Sequence, residues 1–431
     1  MGSLLHRFLS DRQGAVAILF GIALIPLVVA VGAAIDYSRA VNVRTKIQGA
    51  IDAAALAAAS SLNATDAERI ALAQSVFDAN FPVGVTGIDV DPDIRIENDA
   101  VVVTVDAALP TAIMNIAGIS TLDVATTTEV KIPTMIDGEI VLVLDYSMSM
   151  QDNNKYKAMR EAAVDMINTL SKNGANDKIK VGLVPFSGHV YLSLPKEYVI
   201  HESGNGTWTN CTKDRMWPYN ITDATPDPDK DETKWGPQGI ASPKNILAHL
   251  LEKLAFYLDC SKYASRNLIV RPLTNDIYSV VNQLQGMEAF NDISATGMGM
   301  THISLGLEMG WHLISPNAPF TEGVPYGDED TVKAIVLLTD GDQTEGAWGE
   351  NGTRNKYNGE ANLETMCEAI KDQKVLLVTV AFDLKHNATK NRLRNCATST
   401  QHFYEADSNT DLADAFRNIT GQLTKAIYIS R

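Results

Sequence analysis

The sequence predicts an α/β protein that consists of an N-terminal transmembrane helix, a small β-rich domain and a parallel α/β domain with a long insertion. Three observations carry this prediction. Residues Gly14 to Ile35 contain no charged side chain, strand-like segments follow between residues 83 and 133, and from Asp137 onward strand-like and helix-like segments alternate. Such alternation is typical of a parallel sheet covered by helices on both faces.

The composition narrows the possible functions. The chain has 431 residues, and its 36 basic and 52 acidic residues give a formal net charge of -16. This acidic balance argues against nucleic-acid binding, which depends on Lys and Arg contacts to phosphate. The sequence contains no glycine-rich phosphate loop, Cys-x-x-Cys, His-Glu-x-x-His or Gly-x-Ser-x-Gly motif. We therefore predict that the protein is not an enzyme.

The N-terminal end predicts a membrane anchor. Residues 1–13 form a short polar tail, and the uncharged residues 14–35 are long enough to cross a bilayer as a helix. A cleavable signal peptide and a buried core helix are the alternatives. A signal peptide fits less well because the apolar run is long and a helical pattern continues past it. Pro26 is tolerated in a transmembrane helix.

Two segments separate this helix from the α/β domain. Residues 36–59 are rich in alanine and lack proline, so we predict that the helix continues into a stalk over residues 36–82. Residues 83–133 predict a small β-rich spacer. Its first two strands flank a turn at Glu97 to Asp99, and Leu122 to Ile132 gives a third strand.

The α/β domain begins with a buried strand that ends in polar residues. Ile140 to Leu144 are continuously apolar, as in a strand covered on both faces. Asp145, Ser147 and Ser149 follow at the carboxyl end of this strand, where open α/β sheets bind ligands. A carboxylate and two hydroxyls supply hard oxygen ligands, so the pattern predicts a site for a divalent cation, namely Mg²⁺, Ca²⁺ or Mn²⁺.

This Asp-x-Ser-x-Ser loop resembles the metal-ion-dependent adhesion site of the von Willebrand factor A domain, a Rossmann-like fold. The resemblance implies two further loops. Asp340, after the apolar strand Lys333 to Thr339, matches the acid that often holds the metal through water, and Thr301 matches the family's threonine. Thr296 and Ser304 lie close to Thr301 and are alternatives to it.

The remaining elements predict that this domain spans residues 137–428. The expected helices and strands are Lys155 to Leu170, Ile179 to Phe186, Val375 to Phe382, Gln401 to Tyr404 and Asp411 to Ala426. Residues 187–286 are far longer than the usual loop of about 2 to 6 residues in α/β units and predict an insertion. It could determine ligand specificity, or it could be a lid or a packing decoration.

The N-terminal segment carries a second resemblance. Arg12-Gln-Gly-Ala-Val-Ala, the exit sequence Asp36-Tyr-Ser-Arg and the following Ile51-Asp-Ala-Ala-Ala-Leu resemble the TadE/TadG-like segment of Flp (Tad) pilus assembly proteins. TadG-like members carry this anchor ahead of a von Willebrand A domain. Processed pilins have a glutamate five residues after the cleavage glycine, whereas Leu19 stands at that position after Gly14. We therefore expect a retained anchor and not a pilin.

The orientation of the anchor follows from two opposing signals. The basic residues close to the span are Arg7, Arg12, Arg39, Arg44 and Lys46. Their distribution mildly favours a cytoplasmic C-terminus. The family resemblance and the cysteines indicate the reverse, and large domains translocate despite a modest charge bias. We predict a single-pass protein of the bacterial inner membrane with an extracytoplasmic C-terminal part.

Four cysteines allow three disulfide pairings. We predict Cys211 with Cys260, inside the insertion, and Cys367 with Cys396, beside the late strand, because each bond then stays within one local unit. Disulfides also presume an oxidising compartment.

Together these features predict a membrane-anchored, metal-dependent binding or adhesion protein of a Tad pilus system. The family resemblance implies that a protein partner, expected among the pilus or pilus-assembly components, completes the metal coordination with an acidic group. Two alternatives remain at this point: a structural docking factor that does not use the metal site, and a metal-dependent hydrolase.

Overall fold

The computed structural model describes residues 13–61, 64–81, 88, 90–171, 177–200, 208–237, 259–291 and 298–429. The chain divides into two compact units, which we call the N-terminal unit (Met1–Thr134 with Ser430–Arg431) and the C-terminal unit (Met135–Ile429). Of the predicted tail at residues 1–13, only Gln13 belongs to the described part of the chain.

A long helix, α1 (Gln13–Ala59), opens the N-terminal unit and contains Pro26. The predicted apolar helix and its continuation are therefore one element. Leu19, Phe20 and Ile25 are 66%, 66% and 68% exposed, whereas the second half of α1 has a buried face. Within the described residues, one helix is long and apolar enough to cross a membrane, judged by length and composition.

A second helix and a three-stranded antiparallel sheet complete this unit. They are α2 (Asp66–Asn80), β1 (Asp93–Glu97), β2 (Ala100–Pro110) and β3 (Thr121–Lys131), with β2 in the centre of the sheet. Asn98 and Asp99 have positive φ and form the turn between β1 and β2. Asn and Asp tolerate this conformation, and the predicted hairpin is confirmed.

One hydrophobic core joins α1, α2 and this sheet. Ile47 of α1, Phe77 of α2 and Val103 of β2 all belong to it. The predicted division into a helical stalk at 36–82 and a separate spacer at 83–133 is therefore wrong. The buried face of α1 is rich in alanine, whose small side chain lets neighbouring elements approach the helix closely and share its core.

A six-stranded sheet forms the centre of the C-terminal unit. Its strands are β4 (Asp137–Asp145), β5 (Ile179–Phe186), β6 (Arg271–Thr274), β7 (Thr331–Thr339), β8 (Leu376–Phe382) and β9 (Phe403–Ala406). They lie in the order β9-β8-β7-β4-β5-β6. All neighbours are parallel except β5 and β6, which are antiparallel. β4 is buried from Gly138 to Asp145, as expected for a central strand covered on both faces.

Helices cover both faces of this sheet. They are α3 (Lys155–Ser171), α4 (Ile277–Gln285), α5 (Ile303–Ile314), α6 (Lys356–Asp372), α7 (Asn387–Cys396) and α8 (Asn409–Ile427). The apolar faces of α3, α4 and α8 share one core, and those of α5, α6 and α7 share the other. The predicted α/β fold is confirmed.

The structure corrects the predicted insertion at residues 187–286. Its last part is not inserted, because β6 belongs to the main sheet and α4 packs against α3. Pro272 lacks an N–H donor, which the edge position of β6 tolerates. The short, proline-containing strand gave no strand signal in the sequence.

The described residues between β5 and β6 form an irregular segment. In its described part, two short strands, Val190–Tyr191 and Cys211–Thr212, pair with each other, and a short helix spans Ser261–Ser265. Residues 201–207 and 238–258 lie outside the described residues. Trp235 is fully buried and anchors the segment in the core beside α5.

Both predicted disulfides are confirmed. Cys211 bonds to Cys260 within the irregular segment, with 5.8 Å between their Cα atoms. Cys367 bonds to Cys396 and joins α6 to α7, with a Cα–Cα distance of 5.0 Å. Each bond links elements that are close neighbours in the fold.

Candidate metal centre

The candidate site lies at the carboxyl ends of β4 and β7, the two central strands. β4 continues into α3 on one face of the sheet, whereas the next long helix after β7, α6, packs on the opposite face. Chain connections that leave in opposite directions open a crevice between two neighbouring strands, and α/β proteins bind ligands at this position.

Asp145 is the last residue of β4, and its side chain is buried. One carboxylate oxygen, Oδ1, accepts a hydrogen bond from the Ser147 backbone N–H at 2.8 Å. The other, Oδ2, accepts one from the Thr339 hydroxyl at 2.7 Å. Burial, reinforced by the nearby charge of Asp340, raises the pKa of Asp145 to about 7.

Ser147 and Ser149 follow on the loop after β4. Their hydroxyl oxygens are 3.1 Å apart, and the Ser149 hydroxyl donates to Oδ1 of Asp340 at 2.6 Å. The Met148 N–H between them donates to the carbonyl of Gly299 at 2.8 Å. The first predicted loop is therefore tied to both of the others.

Asp340 comes directly after β7 and is held on both carboxylate oxygens. Besides Ser149 on Oδ1, the Lys155 ammonium donates to Oδ2 at 2.8 Å. Lys155 also lies 3.2 Å from the carboxylate of Asp383. Burial raises the pKa of Asp340, and the hydrogen bonds from Lys155 and Ser149 oppose this rise. Sequence reasoning missed Lys155, because the first residue of a predicted helix shows no pattern that points across the sheet.

Thr301 is positioned by the third loop. Its N–H donates to the Thr344 hydroxyl at 2.8 Å, and its carbonyl accepts from the N–H groups of Thr344 and Glu345 at 2.9 and 3.0 Å. Thr301 lines the same cleft as Ser149 and Asp340. Of the alternatives, Ser304 is buried within α5 and does not line this cleft, and Thr296 lies outside the described residues.

The cleft has a volume of about 400 Å³. Its lining also includes Met148, Asp152, Gly299, Met300, Gly341, Asp342, Thr344, Leu384, Lys385 and His386. His386 Nδ1 contacts a carboxylate oxygen of Asp342. We did not expect a base beside the site, although the predicted strand that ends at Phe382 places the segment after it at this edge of a parallel sheet. The His386 side chain is 74% exposed.

The donor set fits a small divalent cation. The hydroxyl oxygens of Ser147 and Ser149 lie 3.1 Å apart, and neighbouring ligands of an octahedral Mg²⁺ are separated by roughly 3 Å. A Cβ atom at Gly341 would lie 3.2 Å from the Thr301 hydroxyl oxygen and 3.8 Å from that of Ser149. The glycine thus leaves open the space between these groups.

The charges of the two carboxylates also favour a bound cation. Two buried carboxylates lie close enough for Asp340 to raise the pKa of Asp145, and a cation between them would relieve this repulsion. In the part of the chain that the structure describes, no group of three or more His, Cys, Asp or Glu side chains could hold a metal. A cation here would therefore depend on hydroxyl ligands.

Two family models match the chain. Residues 14–61 match the TadE/G-like Flp pilus-assembly family, and residues 244–418 match the von Willebrand factor type A domain. The second match contains Thr301 and Asp340, and the structure adds β4 with the Asp145 loop to the same sheet. None of the curated proteins compared with the chain matches it significantly.

Several solved structures are similar to the chain. The pilus adhesin SpaC from Lactobacillus rhamnosus GG is 13% identical with a TM-score of 0.40, over 79% of this chain and 35% of SpaC. The von Willebrand domain of the type V pili tip protein Mfa5 from Porphyromonas gingivalis is 13% identical with a TM-score of 0.40, over 69% of this chain and 98% of that one.

Proximal thread matrix protein 1 from the mussel byssus, with a zinc-occupied metal-ion-dependent adhesion site, is 14% identical with a TM-score of 0.34, over 68% of this chain and 46% of that protein. The chain thus spans about a third of SpaC and about half of the mussel protein. Similarity at this level carries no functional weight. The two family matches and the sheet topology show the domain content: the chain carries a TadE/G-like segment at its N-terminus and a von Willebrand factor type A domain in its C-terminal unit.

Proposed function

We propose that this protein is a membrane-anchored, extracytoplasmic component of a Tad (Flp) pilus system that binds a protein partner through a divalent cation. The observation that carries the proposal is the convergence of Ser149, Thr301 and Asp340 on one cleft, with Asp145 buried at the end of β4. Residues from three separate loops meet there at the switch point of the sheet.

Asp145, Ser147, Ser149 and Thr301 would hold Mg²⁺, Ca²⁺ or Mn²⁺. Asp340 would act through water, as the family resemblance implies, and the hydrogen bonds from Ser149 and Lys155 orient its two oxygens. When bound, the cation supplies a concentrated positive charge with an open coordination position. The chain's own residues hold that charge inside a partly water-shielded cleft, where its attraction for a carboxylate is stronger than in bulk water. The partner is therefore expected to offer an acidic side chain.

Helix α1 is the proposed membrane anchor. Its exposed apolar first half suits a single span of the bacterial inner membrane, and the TadE/G-like match covers the same residues. The two disulfides support an extracytoplasmic C-terminal unit, since such bonds persist in oxidising compartments.

A binding role is favoured over hydrolysis. His386 and Asp342 lie at the rim of the cleft, but His386 is mostly exposed to solvent. A catalytic base generally needs to lie within hydrogen-bond reach of the water that it activates, whereas the ring contact of this imidazole is with Asp342 and not with a candidate ligand.

The test is a capture experiment with the tagged full-length protein, extracted in detergent from cells that express the same pilus genes. We expect pilus or pilus-assembly components to be captured with Mg²⁺ and lost with a chelator. The Asp145→Asn variant should fail to capture them in either condition. Capture that persists with chelator and in this variant would contradict the proposal and identify a docking factor that does not use the metal site. Turnover of a phosphate or peptide ester that depends on both metal and His386 would instead favour a hydrolase.

A further inference from the structure

The loop between β2 and β3 combines an apolar surface with a fixed position on α1. The sequence from Ala107 to Leu122 contains no charged side chain, although Asp106 and Asp123 flank it. A turn of 3-10 helix, Met114–Ala117, forms its tip. Ile116 is 79% exposed and Ile119 is 44% exposed. Single exposed apolar residues are common, but an uncharged loop of this length with exposed isoleucines is typical of a contact surface.

A buried carboxylate clamps this loop to α1. Asp36 is 2% exposed and accepts hydrogen bonds from the backbone N–H groups of Ala112, Ile113 and Met114 at 3.0, 2.9 and 2.8 Å. One helical turn earlier, a Cβ atom at Gly32 would overlap the Ile113 side chain. The glycine therefore lets the loop lie directly against the helix.

The contact between Asp36 and the loop lies at the C-terminal end of the apolar part of α1. The uncharged stretch from Gly14 to Ile35 is roughly 33 Å long at 1.5 Å per residue, close to the hydrocarbon thickness of about 30 Å. Gly32 and Asp36 mark its C-terminal end, so a bilayer that surrounds this stretch ends where the loop is attached.

We propose that the loop of residues 113–119 enters the boundary between lipid headgroups and acyl chains beside α1, and thereby fixes the depth of the N-terminal unit in the membrane. This inference rests on the proposed membrane anchor. The occupant is the lipid surface because the exposed isoleucines continue the apolar surface of the span at its end, and because amphipathic turns bury such side chains in the interface.

An environment-sensitive fluorophore on single cysteines tests this placement in the full-length protein, reconstituted in phosphatidylcholine–phosphatidylglycerol vesicles. The four native cysteines are paired in disulfides, so the label reaches the introduced thiol. Ile116→Cys carries the test, and Leu19→Cys reports on the anchor itself. Glu97→Cys is the matched exposed control, because Glu97 of β1 pairs with Ala100 at the opposite end of β2, roughly 35 Å away at 3.3 Å per residue.

We expect the labels at positions 116 and 19 to have blue-shifted emission and to be quenched by brominated acyl chains, and the label at position 97 to show neither effect. Quenching at position 19 without quenching at position 116 would overturn the loop placement and leave the anchor intact. No quenching at either position would contradict the proposed anchor. A blue shift at position 116 without quenching would show burial against protein, either a second copy or another partner, and would also overturn the inference.

Discussion

Replacement of Asp145 by Asn tests the electrostatics of the candidate site in the absence of metal. The pKa of this buried acid rises from an ordinary value of 3.8 to about 7, which corresponds to a cost of roughly 4 kcal/mol for its ionised form in the folded protein. Asn keeps the acceptor for the Ser147 N–H, and the Thr339 hydroxyl can rotate to accept from the amide. After a loss of about 1 kcal/mol for altered hydrogen bonds, the metal-free variant should be more stable than the wild type by roughly 2 to 4 kcal/mol at pH 8.

The stability advantage of the Asp145→Asn variant should depend on pH. The folded protein binds the Asp145 proton more tightly than the unfolded chain. The wild-type free energy of unfolding therefore decreases as the pH rises from about 4 to about 7 and this proton is lost. The advantage of the variant should therefore shrink by more than half between pH 8 and pH 5. All five tryptophans lie in the C-terminal unit, so their fluorescence during thermal unfolding measures the relevant stability.

Added metal should stabilise the wild type and reduce the difference in stability between the two proteins. At about 100 times its dissociation constant, a cation that binds only the folded state adds roughly 2.7 kcal/mol, which raises the melting temperature by about 5 to 10 °C for a unit of this size. The Asp145→Asn variant should show no such rise with Mg²⁺, Ca²⁺ or Mn²⁺. An equal rise in both proteins would refute the metal site. A stability difference that does not change with pH would refute the argument from burial.

Three further variants test other residues of the C-terminal unit. Thr301→Ala removes one neutral ligand, so the metal-induced rise should become smaller but remain; an unchanged rise would exclude Thr301 from the site. Lys155→Met leaves the buried Asp340 without its ammonium partner, so the metal-free variant should lose up to about 3 kcal/mol at pH 8 while its metal-induced rise exceeds that of the wild type; a smaller rise would indicate that Lys155 supports the metal. Arg215→Met breaks a fully buried pair with Glu308 and should cost about 3 to 5 kcal/mol in chemical denaturation without changing the metal response, and a cost below about 1 kcal/mol would contradict it.

Local patterns in the sequence determined most of the secondary structure and the candidate site. The apolar run before Asp145 and the one before Asp340 predict buried strands, because only a strand covered on both faces tolerates continuous apolar residues. The parallel topology then brings the two carboxyl ends together, as the contact of Ser149 with Asp340 shows. The length of the uncharged run alone identifies the apolar part of α1. The cysteines are paired correctly by the assumption that each disulfide joins residues of one local unit.

Only the tertiary structure decided features that depend on contacts between distant segments. β6 is four residues long and contains a proline, so its place at the sheet edge depends on β5 and not on its own propensity. The stalk and spacer merge because the alanine face of α1 meets side chains from strands much later in the chain. Lys155 reaches Asp340 from the neighbouring strand's connection, and the clamp of Asp36 on the loop at Ile113 joins residues 77 positions apart. Sequence periodicity predicts which faces of a helix or strand are buried. Which residues pack against those faces depends on how the elements assemble.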